Sequence, residues 1–118
     1  MIKLKDKFTK ILKLNDFKLS DELVNIFYDR INYTKNILND LINLQTNKDL
    51  WIYLIFWFDR KTITDILSIS QMTFYKLDNY FMKNGSKKGI SNKLLNKIEK
   101  LRLIIYWFIY EVDNDEEQ

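Results

Sequence analysis

The chain has no cysteine, no histidine and no proline, and its only glycines are Gly85 and Gly89. Without cysteine there is neither a disulfide nor thiolate chemistry, and without histidine the commonest acid–base catalyst and metal ligand is missing too. β-Rich folds lean on glycine and proline for their turns, whereas a helical bundle needs only caps and short connectors. These absences predict an all-α fold. What the chain does have is apolar: 47% of its 118 residues are hydrophobic and 15% aromatic, a composition that folds and a length that suits one core. The expected architecture is one compact domain over residues 1–110, a bundle of five to six helices.

Long apolar runs are missing as well. The two longest are Leu50 to Phe58 and Leu101 to Tyr110, the second interrupted by Arg102, and a membrane span needs about 20 residues. The first seven residues are mostly charged and hold no apolar stretch of the kind a signal peptide carries. A cytoplasmic protein with no membrane partner is expected.

Net charge is only +3, but it is unevenly placed. Residues 111–118 read as an acidic tail with five of the sixteen acids and no base. Without those five the chain sets 19 bases against 11 acids, a net +8. Such a body favours a polyanion, and the tail can compete for its basic face.

Helical spacing runs along most of the chain. Leu4, Phe8, Ile11 and Leu12 make a short amphipathic helix over 3–14. Ser20-Asp21-Glu22 is a helix start, a hydroxyl cap followed by carboxylates beside the positive end of the dipole. From there Leu23, Phe27, Ile31, Thr34, Ile37, Leu38, Leu41 and Leu44 keep one stripe, as one long helix or two with a kink near Asn32. Asn47 then caps a helix from Lys48 to Asp59 that is apolar nearly all round and so belongs at the centre. Gly85 suits the left-handed position that ends a helix. Ser91 caps the last helix, with Ile90 and Leu95 spaced as a hydrophobic staple.

Residues 62–83 carry the spacing of a helix-turn-helix. Ile63 and Leu67 are apolar and four apart, with Thr64 beside the first. Ser68 stands at the turn position that usually takes glycine, and Ile69 follows as the apolar plug. Ser70 caps the second helix, whose inward face is Phe74, Leu77 and Phe81. Asp65 reads as part of the first helix's cap with Thr62, and Asp78 as lying to the side.

From Trp51 to Phe81 the chain resembles region 4 of bacterial sigma factors and the related small activators of Gram-positive phages. The residues that carry the likeness are the apolar Leu54 to Phe58, the charged break Asp59-Arg60-Lys61, then Ile63 to Ser70 and Thr73-Phe74-Tyr75-Lys76. The resemblance covers about a quarter of the chain. It implies DNA binding through the second helix, in a transcriptional or mobile-element setting.

The residues argue for the same partner on their own. With Phe74, Leu77 and Phe81 inward, Gln71, Met72, Tyr75, Lys76, Asn79 and Lys83 point outward. Gln and Asn can pair bidentately with adenine, Lys with guanine, and Met or a Tyr ring can meet a thymine methyl. Thr62, Ser70 and Thr73 stand near helix N-termini as phosphate donors, with Lys61, Lys87 and Lys88 as flanking cations. Double-stranded DNA is therefore the expected partner.

The last helix, residues 92–110, carries more apolar surface than one small body is expected to cover. Ile104, Ile105 and Phe108 face one way, and Tyr106, Trp107, Ile109 and Tyr110 face others. This excess predicts a homodimer with Leu101, Ile104, Ile105, Trp107 and Phe108 at its interface. It would present two recognition helices to half-sites about 34 Å apart. The alternative is a helical protein-interaction module, such as a phage or plasmid accessory factor, that binds no DNA. An enzyme is not expected. The carboxylates stand singly, no glycine loop cradles a phosphate, and nothing calls for a metal, a cofactor or a small-molecule substrate.

Overall fold

In the computed structural model, which describes residues 3–112 apart from the side chain of Asn39, every regular element is helical. There are six α-helices among the described residues: α1 (Leu4–Leu14), α2 (Asp21–Leu38), α3 (Asn47–Trp57), α4 (Arg60–Leu67), α5 (Gln71–Met82) and α6 (Asn92–Tyr106). A single 3-10 turn at Asn39–Leu41 follows α2, and a π-helical turn at Trp107–Glu111 extends α6. No described helix is long and apolar enough to cross a membrane. Where the sequence reads as one domain over 1–110, contacts gather in two compact units. Among the described residues, one is built from 3–42 and 103–112, the other from Asn43–Arg102.

The first unit is held by aromatic rings. Leu4, Phe8 and Leu12 repeat every fourth residue along α1 and are buried, as the spacing requires. The ring of Phe8 lies 5.5 Å from Phe27 of α2 and 5.5 Å from Phe108, both edge-on. Tyr28 meets Phe108 edge-on at the same distance. Edge-to-face packing sets the positive ring edge on the negative face and adds to the gain from burial. At the end of α2 a cation enters this core. Lys35 is only 6% exposed. Its Nζ donates to the carbonyls of Phe108 and Val112 at 2.8 and 2.6 Å and lies 5.1 Å from the centre of the Phe108 ring. An ammonium is well placed there, because the last carbonyls of a helix carry partial negative charge and have no partner within it.

Three expectations are corrected along these segments. α2 runs without a break at Asn32 but stops at Leu38, so the stripe drawn to Leu44 is cut. Ile37 and Leu41 face solvent, Leu41 at 79% exposure. Val112, placed in the acidic tail, is buried. The remainder of that tail, 113–118, lies outside the described residues. Most of the apolar surplus at the C-terminal helix is buried by the chain itself, with Leu103 and Tyr110 left exposed. Leu101, Ile104, Ile105 and Phe108 are buried and Trp107 is half-buried, so these five do not form an open dimer face. In the π turn that continues this helix, Val112 donates to the Trp107 carbonyl five residues back. Phe108, Ile109 and Val112 are all buried and keep the same three-and-four spacing as Leu101, Ile104 and Ile105.

The second unit is built on Trp51, which is fully buried in α3. Its ring lies 5.1 Å from Phe74 and 5.7 Å from Phe81, both on α5. The indole N–H donates to Asp78 Oδ1 at 2.9 Å, which supplies the partner a buried indole needs. The cap of α3 is Thr46 and not Asn47. The Thr46 hydroxyl accepts from the Asp49 amide while the Asp49 carboxylate accepts from the Thr46 amide, a reciprocal capping box. Nor is α3 buried all round, since Phe56 is 75% exposed. Ser91 caps α6 as expected, its Oγ accepting from the Leu94 amide at 3.1 Å. Arg102 ties Glu99 on its own helix to the carbonyl of Leu44.

Candidate functional site

The segment singled out by the sequence is α4, a turn at 68–70, and α5. The helix α4 begins two residues earlier than its pattern suggests, because Asp59 caps it. The carboxylate of Asp59 accepts from the Thr62 amide at 3.0 Å. Arg60 and Lys61 are thus helical and not part of a charged break, and Asp65 is not a cap residue. It pairs with Lys61 at 3.0 Å, one turn away on an exposed face, a geometry worth only a few tenths of a kcal/mol. The Thr62 hydroxyl and amide, and to a lesser extent Lys61, hold the Asp59 carboxyl below its usual range, against a small opposing effect of burial. Because the folded value lies below the unfolded one, this stabilisation is complete above the ordinary carboxylate range and is lost as the pH falls through the lowered value. Asp59→Ala is expected to cost about 1 kcal/mol at neutral pH. In acid titrations followed by circular dichroism, the gap between wild type and variant should close.

Ile63, Ile66 and Leu67 bury the inner face of α4. Ser68 then turns the chain with φ 55° and ψ 48°, the left-handed conformation, and the Ile69 amide donates to the Thr64 carbonyl to close the helix. For a residue with a Cβ this conformation costs about 1–2 kcal/mol. Ser68→Gly should therefore stabilise the protein by about 0.5–1 kcal/mol, after allowance for the extra freedom of glycine in the unfolded chain. A higher denaturation midpoint at unchanged slope would show it.

Ser70 caps α5 as the sequence predicts: its Oγ accepts from the Thr73 amide and donates to the Thr73 hydroxyl, each at 3.1 Å. Phe74, Leu77 and Phe81 are buried. Of the residues expected outward, Gln71, Met72, Tyr75, Lys76, Asn79 and Lys83 are all exposed. Asp78, the one acid on α5, is half-buried with its carboxylate on Trp51, so the exposed face of the helix carries no negative charge.

Several of these residues have further structural work. Tyr75 is joined to Arg60, whose guanidinium donates to its hydroxyl and lies 5.6 Å from its ring centre. Sequence reasoning missed Arg60 by assigning it to a connector. Had the Asp59 cap been recognised, Arg60 would have fallen on the first turn of α4. The Asn79 carbonyl accepts from the amides of Lys83 and Gly85, and its side chain fills the space beside Gly85, where an added Cβ would lie 2.1 Å from its Nδ2. Gly85 is needed for that close approach, while the left-handed position after the helix is taken by Asn84, with φ 52°. Thr62 is engaged with Asp59 and only half exposed, so its role as a phosphate donor is not supported. Lys87 donates to Asn92 Oδ1 at 2.7 Å, and Lys88 is exposed in the same loop. No protein-family model, curated protein or solved structure matches the chain.

Proposed function

We propose that α4, the turn at 68–70 and α5 form a helix-turn-helix that docks on duplex DNA, with α5 in the major groove as a sequence reader. The observation that carries this reading is the outward face of α5, where Gln71, Met72, Tyr75 and Lys76 are exposed while Asp78 is drawn to Trp51. A helix face rich in amide, ammonium and apolar groups, and free of carboxylate, matches what base edges and phosphates present. Arg60, held against Tyr75, adds a fixed cation beside that face. The setting we propose is transcriptional regulation or a mobile element. Changing Gln71, Tyr75 and Lys76 to alanine together should weaken binding to a selected duplex by about 1–3 kcal/mol for each base-specific interaction removed. Non-specific binding should change far less.

A second reading, a protein-interaction module without DNA, is favoured by α2. Its exposed side keeps Ile26, Tyr33 and Ile37 on one stripe, spaced seven and four residues apart. Pairing of two copies, which we retain in the proposal, belongs with this stripe and not with the buried core of α6.

A further inference from the structure

Beside the turn at 68–70 lies an open cavity of about 400 Å³ within the second unit. Its walls come from the turn itself, the first residues of α5, the loop at Gly89 and the first turns of α6. The polar side chains on those walls are Ser68, Ser70, Thr73, Ser91, Lys93 and Lys97, and no acid among the described residues lines it. Lys97 is fixed there, because its Nζ donates to the Leu67 carbonyl at 3.0 Å. Lys76 lies close to the same rim, its Nζ 3.0 Å from where a Cβ of Gly89 would sit. Gly89, one of the lining residues, has φ +84° and lacks a side chain, which leaves room for the Lys76 side chain against it.

We infer that this cavity is a phosphate seat for the DNA backbone, held by Lys93 and Lys97 with Ser91 and Thr73 as hydroxyl donors. The inference rests on the DNA-binding reading and extends it to α6, an element the sequence assigned only to pairing. Two ammonium groups and several hydroxyls without a carboxylate select an anion that can accept several hydrogen bonds. The location selects the source. The cavity opens beside the first turn of α5, so a backbone phosphate entering it fixes the angle at which α5 enters the groove. Such a contact positions the protein without reading sequence.

The test uses the full chain and the exposed Lys93, whose replacement does not threaten the fold. Wild type and Lys93→Gln are titrated with a duplex at several salt concentrations, and separately with inorganic phosphate at constant ionic strength, with amide shifts followed by NMR. The expected result is that Lys93→Gln lowers the slope of log K against log salt by about 0.9, the share of one phosphate, equally for all sequences. Saturable phosphate shifts near Ser70, Thr73 and Ser91 should be present in wild type and lost in the variant. If wild type binds duplex and the variant matches it in slope and affinity, the seat is refuted while the DNA reading stands. If wild type ignores duplex but phosphate moves the cavity amides, the site takes a free phosphate and the DNA reading falls. No response to either ligand overturns both.

Discussion

Trp51→Ala is expected to lower the melting temperature by about 10–20 °C, the largest loss from any single truncation in the second unit. Removing a fully buried tryptophan costs about 3–5 kcal/mol, out of the roughly 5–15 kcal/mol that keeps a domain folded. Two further effects compound it here. Phe74 and Phe81 both lose the ring they pack on, and Asp78 loses its donor while remaining half-buried. A control separates these contributions. Asp78→Ala keeps the ring but leaves the indole N–H without an acceptor, for about 1–3 kcal/mol. Trp51→Phe, which keeps most of the packing but not the hydrogen bond, should fall between the two in thermal denaturation.

Lys35→Glu is expected to be comparably damaging in the first unit, by about 3–5 kcal/mol, through an unpaired buried charge. The carboxylate would face the carbonyl oxygens of Phe108 and Val112 and the face of the Phe108 ring, all of which now meet an ammonium. Lys35→Met retains the aliphatic stem and isolates the loss of the two hydrogen bonds, so its cost should be smaller. Hydrogen exchange should show the amides of the π turn at Trp107–Glu111 opening first in both variants. Equal stability of Lys35→Glu and wild type would mean that the ammonium does not hold the C-terminal turn in place.

The sequence is most legible where one local rule decides the outcome. Ser70 and Ser91 are hydroxyls placed immediately before helical periodicity, and each caps its helix. Ser68 sits where a left-handed residue is needed, and it adopts that conformation despite its Cβ. Legibility fails where two local rules compete. Thr46 and Asn47 are both good caps, and only the carboxylate of Asp49, three residues after Thr46, decides between them. Asp59 reads as part of a connector because its apolar neighbours end at Phe58, although it is an equally good cap for the helix that begins at Arg60. The C-terminal helix is misread for a different reason. Leu101, Ile104, Ile105, Phe108, Ile109 and Val112 lie on one regular stripe that is buried, and a count of apolar residues along one helix does not record how much surface the rest of the chain covers. Lys35 cannot be found from pattern at all. Its partners are carbonyls 73 and 77 residues away, and no side-chain periodicity records a backbone acceptor.

Of the candidate site, the outward face of α5 is readable because inward and outward residues alternate with the helical period. The basic cavity is not, since its lysines come from α6 and meet the turn at 68–70 only through folding.

If α5 carries this chain onto duplex DNA, a binding titration between about 50 and 200 mM salt will show it. Measurable affinity is expected at the lower concentration, with a linear fall of log K against log salt and a slope set by several phosphate contacts. Absence of binding to mixed-sequence duplex at the lower salt, by a protein shown to be folded, would refute DNA binding through α5.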